Sequence, residues 1–313
     1  MTDIVTITPN PAVDLSTSVE LIVPVAKLRG TSQRRDPGGG GINVARVIKR
    51  LGGDVSALYP IGGVTGDLLR KLLDSEGVAS RTFAIAEETR EDFFVSEIST
   101  HNRFILPGPQ LSESEWRELL RLFSAIEPFP RIVVASGSLP GGVPDDFYAR
   151  VAKIANQRGG RMVLDTSGPA LTAAVAEGVD IIKPNLREMR ELTGREPSGA
   201  AEWEAAAKSL VHSGKVAVVA LTMGHLGAVL VTKNQVLRSQ PLAVIPVSAV
   251  GAGDSFLGAL IWQLASGADL EACFRQAVAA GAAALLNPGT GLCLPADIKR
   301  LAEQVMLTAE QPP

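Results

Sequence analysis

Asp254 is the residue whose surroundings point most directly to chemistry. It ends the stretch Gly251-Ala252-Gly253-Asp254, which comes immediately before an apolar, helix-like run. Two glycines permit a tight turn that directs several backbone N–H groups into one space, and a helix that begins there adds the positive end of its dipole. Donors beside a carboxylate suit phosphoryl transfer to an alcohol, because the donors steady the moving group and the carboxylate accepts the hydroxyl proton. The plainer alternative is that Asp254 only caps the helix.

The common phosphate-binding fingerprints do not occur in this sequence. Phe256 stands where the dinucleotide-binding pattern Gly-x-Gly-x-x-Gly, counted from Gly251, needs its third glycine. The Gly-Lys pair Gly214-Lys215 is followed by Val216 and not by the Ser or Thr of a Walker loop. If phosphate chemistry happens in this chain, it does not use a Walker loop.

A second glycine cluster, Gly38 to Gly41, comes directly before an amphipathic, helix-like run. Successive glycines are unfavourable in chain entropy. A flexible linker is the plainer explanation, but linkers are seldom followed at once by a strong helix. We therefore expect the backbone to approach a ligand closely here. Asn43, on the first turn of the helix, is then placed to hydrogen-bond a hydroxylated substrate.

The composition is that of one large α/β domain. The chain has 313 residues, 46% of them hydrophobic, and its formal net charge of −3 argues against a general nucleic-acid binder. Two cysteines without metal-type spacing suit a reducing cytoplasm, and the histidines form no metal-ligand pattern. The uncharged run at residues 255–268 is too short to span a bilayer. We expect a cytoplasmic protein with neither a membrane nor a nucleic-acid partner.

Strand-like and helix-like segments alternate along the chain. Apolar runs typical of buried parallel strands occupy residues 4–7, 132–135, 162–164, 181–182 and 216–221. Polar, helix-like segments occupy residues 113–126, 145–157 and 200–212. The pattern predicts an α/β fold, a doubly wound, mostly parallel sheet with helices on both faces and ligands beyond the carboxyl ends of the strands. We also expect a strand at residues 242–247 and a loose tail at residues 308–313.

Two segments, residues 15–36 and 87–106, interrupt this alternation. They carry short alternating patterns without clear helices, which predicts extra β-strands outside the main sheet. A pair of surface hairpins is the alternative. Both segments contain cations that could bind an anion, namely Lys27, Arg29, Arg90 and Arg103.

A set of motifs in register resembles the ribokinase, or PfkB, family of carbohydrate kinases. The defining pair is the early Gly-Gly-x-Gly-Ile-Asn-Val-Ala element and the late Gly-Ala-Gly-Asp element. The other motifs follow in the family's usual order: Thr8-Pro9-Asn10-Pro11-Ala12-Val13-Asp14, Ser136-Gly137-Ser138-Leu139-Pro140, Lys183-Pro184-Asn185-Leu186-Arg187-Glu188 and Thr222-Met223-Gly224. The resemblance covers essentially the whole chain. It implies a ribokinase-like main domain of residues 1–14, 37–86 and 107–313, and a small β-sheet lid of residues 15–36 and 87–106 that closes over the sugar and forms a homodimer contact.

The resemblance also implies roles for individual residues. Asp254 is the catalytic base, beside the backbone of Gly251, Ala252 and Gly253. The substrate-side residues are Asp14, Lys27, Arg29, Gly38, Gly39, Asn43, Arg90, Arg103 and Ser138, with Arg90 as the clamp for the sugar phosphate. The ATP-side residues are Lys183, Asn185, Thr222, Gly224 and Asn287. Asn185 and Glu188 share a helix face and arrange Mg²⁺ through water. The plainer alternatives are a turn role for Asp14, helix capping for Asn185 and helix termination for Asn287.

Substrate choice depends on Gly40. In 1-phosphofructokinase and tagatose-6-phosphate kinase this position is typically Lys, which helps to bind the substrate phosphate. Glycine leaves that task to the lid cations, as in the minor 6-phosphofructokinase branch of the family. The resemblance therefore implies ATP-dependent phosphorylation of fructose 6-phosphate at its C1 hydroxyl, which gives fructose 1,6-bisphosphate. The alternatives are a tagatose-6-phosphate kinase, a 1-phosphofructokinase or, in a different class, a sugar-phosphate or nucleotide sensor that has lost catalysis.

Overall fold

The computed structural model describes residues 3–22, 27–97 and 101–310. The strands are β1 (Ile4–Ile7), β2 (Ala12–Ser18), β3 (Arg34–Gly38), β4 (Val55–Ile61), β5 (Ala79–Ala84), β6 (Arg90–Ser96), β7 (His101–Ile105), β8 (Ile132–Ser136), β9 (Arg161–Asp165), β10 (Val179–Ile182), β11 (Val216–Thr222), β12 (Ala228–Val231), β13 (Val236–Ser239) and β14 (Leu307–Glu310). The helices are α1 (Gly40–Arg50), α2 (Gly63–Ser75), α3 (Glu113–Ser124), α4 (Phe147–Gln157), α5 (Gly168–Glu177), α6 (Leu186–Thr193), α7 (Ala200–His212), α8 (Ala252–Ala265), α9 (Leu270–Ala284) and α10 (Pro295–Ala302).

The large sheet has ten strands in the order β14-β13-β12-β11-β10-β9-β8-β1-β4-β5. The strands from β11 to β5 in this order pair in parallel, whereas β12, β13 and β14 are added antiparallel at one edge. The chain leaves β1 towards β4 on one side and later returns to β8 on the other. This change of direction opens a crevice at the carboxyl ends of β1 and β8, where doubly wound sheets bind their ligands.

Helices cover both faces of the large sheet, as the sequence predicts. Because side chains alternate along a strand, Val133 and Ala135 of β8 pack into one apolar cluster with residues of α3, α4 and α7. Ile132 and Val134 of the same strand pack into a second cluster with residues of α1, α2, α8 and α9. All the strands expected at residues 4–7, 132–135, 162–164, 181–182 and 216–221 are present and parallel.

A separate four-stranded sheet has the order β3-β2-β6-β7 and is built from the two segments that interrupt the alternation. Its strands β2 and β6 pair in parallel, and β3 and β7 flank them antiparallel. Strand β2 begins at Ala12 and strand β3 ends at Gly38. Strand β3 therefore continues directly into the glycine cluster that precedes α1.

The small sheet has two chemically different faces. Asp14 on β2 is paired with Asp36 on one side and with Asp92 on the other, which sets three carboxyl groups in a row. The neighbouring row carries apolar side chains, because Leu15 is paired with Phe93 and Phe93 with Phe104. Alternation along the strands places these rows on opposite faces.

Two sequence-based expectations are wrong. Residues 242–247 form no strand, because Pro241 and Pro246 lack an N–H to donate. This segment instead passes over the end of α9, where the Val247 N–H donates to the carbonyl of Leu285. The expected loose tail is also partly ordered: β14 pairs with β13, and Glu310 forms an ion pair with Arg238. Residues 311–313 of that tail lie outside the described residues.

In the described part of the chain, none of the helices combines the length and the apolar character needed to cross a bilayer.

Candidate active site

Asp254 lies on the first turn of α8, at the crevice beyond the strand ends. Gly251 precedes the helix with φ 75°, a left-handed conformation that favours glycine. A Cβ at Gly251 would also approach Cδ2 of Leu292 to 2.5 Å. The turn into α8 therefore requires glycine both for its backbone angle and for space.

The first turn of α8 presents backbone donors beside this carboxylate. The Ala252 N–H contacts the Ala249 carbonyl at 3.4 Å, and the Ser255 N–H bonds to the Gly251 carbonyl at 2.8 Å. Between them, the N–H groups of Gly253 and Asp254 have no acceptor among the described residues. Two unpaired donors at a helix N-terminus are able to bind an anion.

Asn43 meets Asp254 because α1 and α8 pack closely. A Cβ at Gly258 would lie 2.7 Å from Cβ of Val47, so glycine permits this approach of the two helices. Nδ2 of Asn43 then donates to Oδ2 of Asp254 at 2.8 Å. The packing of α1 on α8 thus brings a residue of the early motif into contact with a residue of the late one.

Lys183 and Asp165 complete the charged surroundings of Asp254. The buried Lys183 ammonium lies 3.1 Å from Oδ1 of Asp165, and a Cβ at Gly253 would lie 3.2 Å from the same Nζ. Burial alone would lower the pKa of Lys183, but Asp165, Glu188 and Asp254 outweigh this and raise the pKa. Lys183 therefore stays charged beneath the N-terminus of α8.

Burial raises the pKa of Asp254 to about 6, and the carboxylate of Asp165 adds to this rise. The amide of Asn43 and the charges of Lys183 and Arg103 act in the opposite direction. A carboxyl group with a pKa near neutrality, close to donors at a helix N-terminus, has the properties of a general base. These surroundings exceed what a helix cap alone requires.

The glycine cluster packs tightly against the strand ends. A Cβ at Gly38 would overlap the carboxyl group of Asp14, and one at Gly40 would overlap the hydroxyl of Ser136. Gly39 has φ 108°, and a Cβ there would lie 2.9 Å from the methyl group of Thr8. Glycine at these positions therefore leaves room for the side chains of Asp14, Ser136 and Thr8, and the close approach to a ligand stays a prediction.

Asp14 is buried on β2, against Gly38. Burial raises the pKa of Asp14 to about 7, with a further contribution from Asp92. The charge of Arg103 opposes this rise, although Arg103 itself is exposed on β7 with its guanidinium 5.1 Å from the ring centre of Phe94. The charge of Arg103, on the small sheet, also lowers the pKa of Asp254 on the first turn of α8.

Arg90 lies at the start of β6, beside Asn10. Its Nη2 donates to the Asn10 carbonyl at 3.3 Å and its Nη1 to the Leu106 carbonyl at 3.4 Å. The Asn10 amide donates to the Ser138 hydroxyl at 3.3 Å. Nε of Arg90 and Oδ1 of Asn10 are buried without a partner in the described part of the chain. The site thus brings Arg90 and Ser138 to one place with unused hydrogen-bonding groups.

Lys27 and Arg29 are not brought to this place. Both are exposed in the segment between β2 and β3, and no contact to the site is found among the residues that the structure describes.

The ATP-side candidates lie at the ends of β10 and β11. Asn185 forms an isolated parallel β-bridge with Thr222, and the Thr222 N–H donates to the Pro184 carbonyl at 3.0 Å. Gly224, two residues after Thr222, has φ 59°. Asn185 also caps α6 in a reciprocal arrangement with Glu188, with hydrogen bonds of 3.0 and 2.9 Å. Helix capping is therefore one role of Asn185.

Asn287 follows α9 at the border of the same region. Its side-chain amide donates to the Ala283 carbonyl at 3.2 Å, close to the end of the helix. Asn287 therefore helps to terminate α9, which was the plainer of the two expectations.

Two residues that sequence reasoning did not assign to the site contribute to it. Asp165, at the end of β9, pairs with Lys183, and its position directly after a strand was the available signal. Arg46 is completely buried on α1 and donates to Oδ1 of Asn43 at 3.2 Å. A charged residue three positions after Asn43 looks like part of a solvated helix face, so the sequence carried no signal for its burial.

Comparison with known proteins identifies the family of this chain. The family model described as pfkB family carbohydrate kinase matches residues 3–297. The chain belongs to this family. The ribokinase-like fold and the family expected from the motifs are thereby confirmed.

Individual pfkB-family relatives match over nearly their full length. An ATP-dependent 6-phosphofructokinase isozyme 2 from Mycobacterium tuberculosis is 43% identical over 302 residues, which cover 96% of this chain and 89% of the relative. A 1-phosphofructokinase from Xanthomonas campestris is 32% identical over 312 residues, which cover 97% and 98%. The crystal structure of phosphofructokinase-2 from Escherichia coli in complex with fructose-6-phosphate has a TM-score of 0.91 at 38% identity and covers 97% of this chain and 99% of that one.

Proposed function

We propose that this chain transfers the γ-phosphoryl group of ATP to the C1 hydroxyl of fructose 6-phosphate, which gives ADP and fructose 1,6-bisphosphate. The observation that carries the proposal is the position of Asp254, a carboxyl group with a raised pKa beside unpaired N–H donors. Family membership supports the kinase activity, and the name of the Mycobacterium tuberculosis relative supports the substrate.

Asp254 acts as the general base in this proposal. Its pKa of about 6 leaves it mostly deprotonated at pH 7, so it is able to accept the hydroxyl proton as the sugar oxygen attacks. The backbone of Gly251, Ala252 and Gly253 faces the transferring group, and the unpaired N–H groups of Gly253 and Asp254 stabilise negative charge there.

Substrate recognition divides between hydroxyl and phosphate groups. Asp14 and Asn43 bind sugar hydroxyls beside the backbone of Gly38 and Gly39. Arg103 also contacts the sugar, from the small sheet. Arg90 and Ser138 bind the 6-phosphate, because a guanidinium fork suits phosphate geometry and the Nε of Arg90 has no partner among the described residues. Lys27 and Arg29 join them when the small sheet closes over the sugar and excludes water.

The nucleotide lies along the ends of β10 and β11. Lys183 supplies a positive charge to the phosphates, and Asn185, Thr222 and Gly224 contact the nucleotide. Asn287 borders the adenine from the segment after α9.

The residues near Glu188 fit Mg²⁺ held through water. Mg²⁺ prefers oxygen ligands and keeps several waters when it binds nucleotide phosphates. One Glu188 oxygen accepts from the Asn185 N–H and the other is 3.7 Å from Arg187. The described residues contain no group of three His, Cys, Asp or Glu side chains that could hold the ion directly. Asn185 and Glu188 would contact its waters, and the ion would neutralise charge on the ATP phosphates.

The domain boundaries and assembly belong to the same proposal. The main domain comprises residues 1–14, 37–86 and 107–313, and the lid comprises residues 15–36 and 87–106. The apolar face of the lid supports a homodimer, since Phe104 is 55% exposed and a groove of about 490 Å³ lies beside Leu15 and Phe93. We place the protein in the cytoplasm, where fructose 6-phosphate and ATP are both present.

The test is ADP release with Mg-ATP against fructose 6-phosphate, tagatose 6-phosphate, fructose 1-phosphate, fructose and ribose. We expect a clear preference for fructose 6-phosphate. Preference for tagatose 6-phosphate or fructose 1-phosphate would keep the chemistry but contradict the substrate. Turnover with the free sugars alone would contradict the role of Arg90. ATP binding without any turnover would favour the sensor.

A further inference from the structure

The side-chain amide of Asn43 has two different ends, and Arg46 contacts one of them. Oδ1 of Asn43 accepts from Nη1 of Arg46 at 3.2 Å, whereas Nδ2 donates to Oδ2 of Asp254 at 2.8 Å. A guanidinium only donates hydrogen bonds, so it requires the amide oxygen on its side. The reversed amide would set a donor against a donor at Arg46 and an oxygen against the carboxylate of Asp254. Arg46 therefore determines which end of Asn43 faces Asp254.

Arg46 is itself held from several directions. Its Nε and Nη2 donate to Oε1 of Glu76, the residue that follows α2, at 2.9 and 2.6 Å. Its Nη1 also donates to the carbonyl of Pro37, before the glycine cluster, at 2.9 Å, and to the carbonyl of Thr290, after α9, at 3.3 Å. A completely buried guanidinium with partners in these separate segments cannot rotate without breaking several hydrogen bonds.

We propose that Arg46 is a positioning residue that holds the Asn43 amide with its NH₂ group toward Asp254, and so keeps the carboxylate oriented for the substrate hydroxyl. Arg46 acts through Asn43 and needs no contact with the substrate. The inference rests on the proposed function, in which Asp254 is the base.

The acid limb of the pH profile of kcat/KM follows the pKa of Asp254, and this pKa depends on the hydrogen bond from Asn43. The charged and polar groups that act on Asp254 come from several elements: Asn43 from α1, Arg103 from β7, Asp165 from β9 and Lys183 from the end of β10. Of these, only Asn43 is in contact with Arg46. Loss of its donated hydrogen bond removes an interaction that lowers the pKa of Asp254, so the acid limb moves to higher pH.

The test compares Arg46→Lys with Glu76→Gln. Lysine keeps the charge but lacks the planar fork that reaches Glu76 and Asn43 together. We expect kcat to fall about 10–100-fold and the acid limb to move up by about one pH unit. Glu76→Gln weakens the same buried network without touching Asn43, so we expect a lower Tm with an unchanged acid limb. Equal losses of Tm and activity in both variants, with the acid limb unmoved in both, would overturn the inference.

Non-additivity provides a second criterion. If Arg46 acts through Asn43, then Arg46→Lys causes no further change of kcat or of the acid limb in an Asn43→Ala background. Should Arg46→Lys fail to fold, Asn43→Ala alone decides: it removes the NH₂ donor to Asp254 without adding a charge beside that carboxylate, and we expect the same upward shift. An unmoved acid limb in Asn43→Ala would overturn the inference, because Arg46 would then have no route to Asp254.

The wild-type assay with Mg-ATP and fructose 6-phosphate is made first. No turnover would contradict the proposed function, whereas wild-type turnover with an unaltered pH profile in the Arg46 and Asn43 variants would contradict the positioning role alone.

Discussion

Nζ of Lys183 lies 3.1 Å from Oδ1 of Asp165, directly beneath the first turn of α8. Asp165 is the last residue of β9 and Lys183 follows the neighbouring parallel strand β10, so their side chains meet at the same edge of the large sheet. Burial raises the pKa of Asp254 to about 6; within this pair, Asp165 adds to the rise and Lys183 opposes it.

Asp254→Asn removes the proposed base while keeping the shape of the side chain. We expect kcat to fall by about 10²–10⁴-fold, and Tm to stay the same or rise, because burial disfavours the charged carboxylate. Steady-state kinetics and thermal unfolding of the same preparation measure both. Near-normal turnover would contradict the assignment.

The pH profile should carry the titration of Asp254. The base works when deprotonated, so kcat/KM should fall as the pH falls through about 6. Lys183→Met removes a positive charge that lowers this pKa, and the acid limb should then move to higher pH. An acid limb that stays in place in Lys183→Met would show that another group is titrating.

Arg90→Ala tests the phosphate clamp. We expect KM for fructose 6-phosphate to rise by about 10–100-fold with a much smaller change in kcat, because a charge-assisted contact is lost. The matched control is Arg35→Ala, since Arg35 is exposed on β3 of the same small sheet. If both variants had the same KM as the wild type, Arg90 would have only a structural role.

Gly251→Ala tests the turn into α8. Alanine there combines φ 75° with a contact to Leu292, so we expect at least a 10-fold lower kcat and a loss of about 1–3 kcal/mol in unfolding free energy. Gly267→Ala is the control, because Gly267 follows the other end of α8 with φ 82° and nothing within 4 Å of a Cβ. This control should lose stability but keep kcat. Equal kcat in the two variants would contradict a role for the turn geometry.

Phe104→Asp tests the proposed dimer through the lid. The side chain is 55% exposed on the apolar row that Phe93 and Leu15 continue. A charge on this row should raise the dimer dissociation constant by at least 10-fold, as measured by sedimentation equilibrium, because burying an unpaired charge is strongly unfavourable. Val64→Asp, at an 82% exposed position on α2, is the control and should leave the dimer intact. A wild-type monomer, or a variant that dimerises as the wild type does, would contradict the proposed interface.

Local patterns in the sequence were sufficient to predict most of the helices and strands. Apolar runs and glycines before a helix are signals that act over a few residues. The turn into a helix at Gly251 to Asp254 and the buried parallel strands could therefore be predicted without knowledge of the fold. The strand expected at residues 242–247 was wrong because two prolines outweighed its apolar character. The edge strand β14 was missed because its pairing with β13 joins segments far apart in the chain.

The tertiary structure alone decided which polar groups meet. Asn43 and Asp254 are 211 residues apart, and only the packing of α1 on α8 makes them partners. The same packing buries Arg46, whose sequence context is that of a solvated helix face. Such contacts depend on strand order and on close helix approach, which result from the packing of the whole core and have no local signature in the chain.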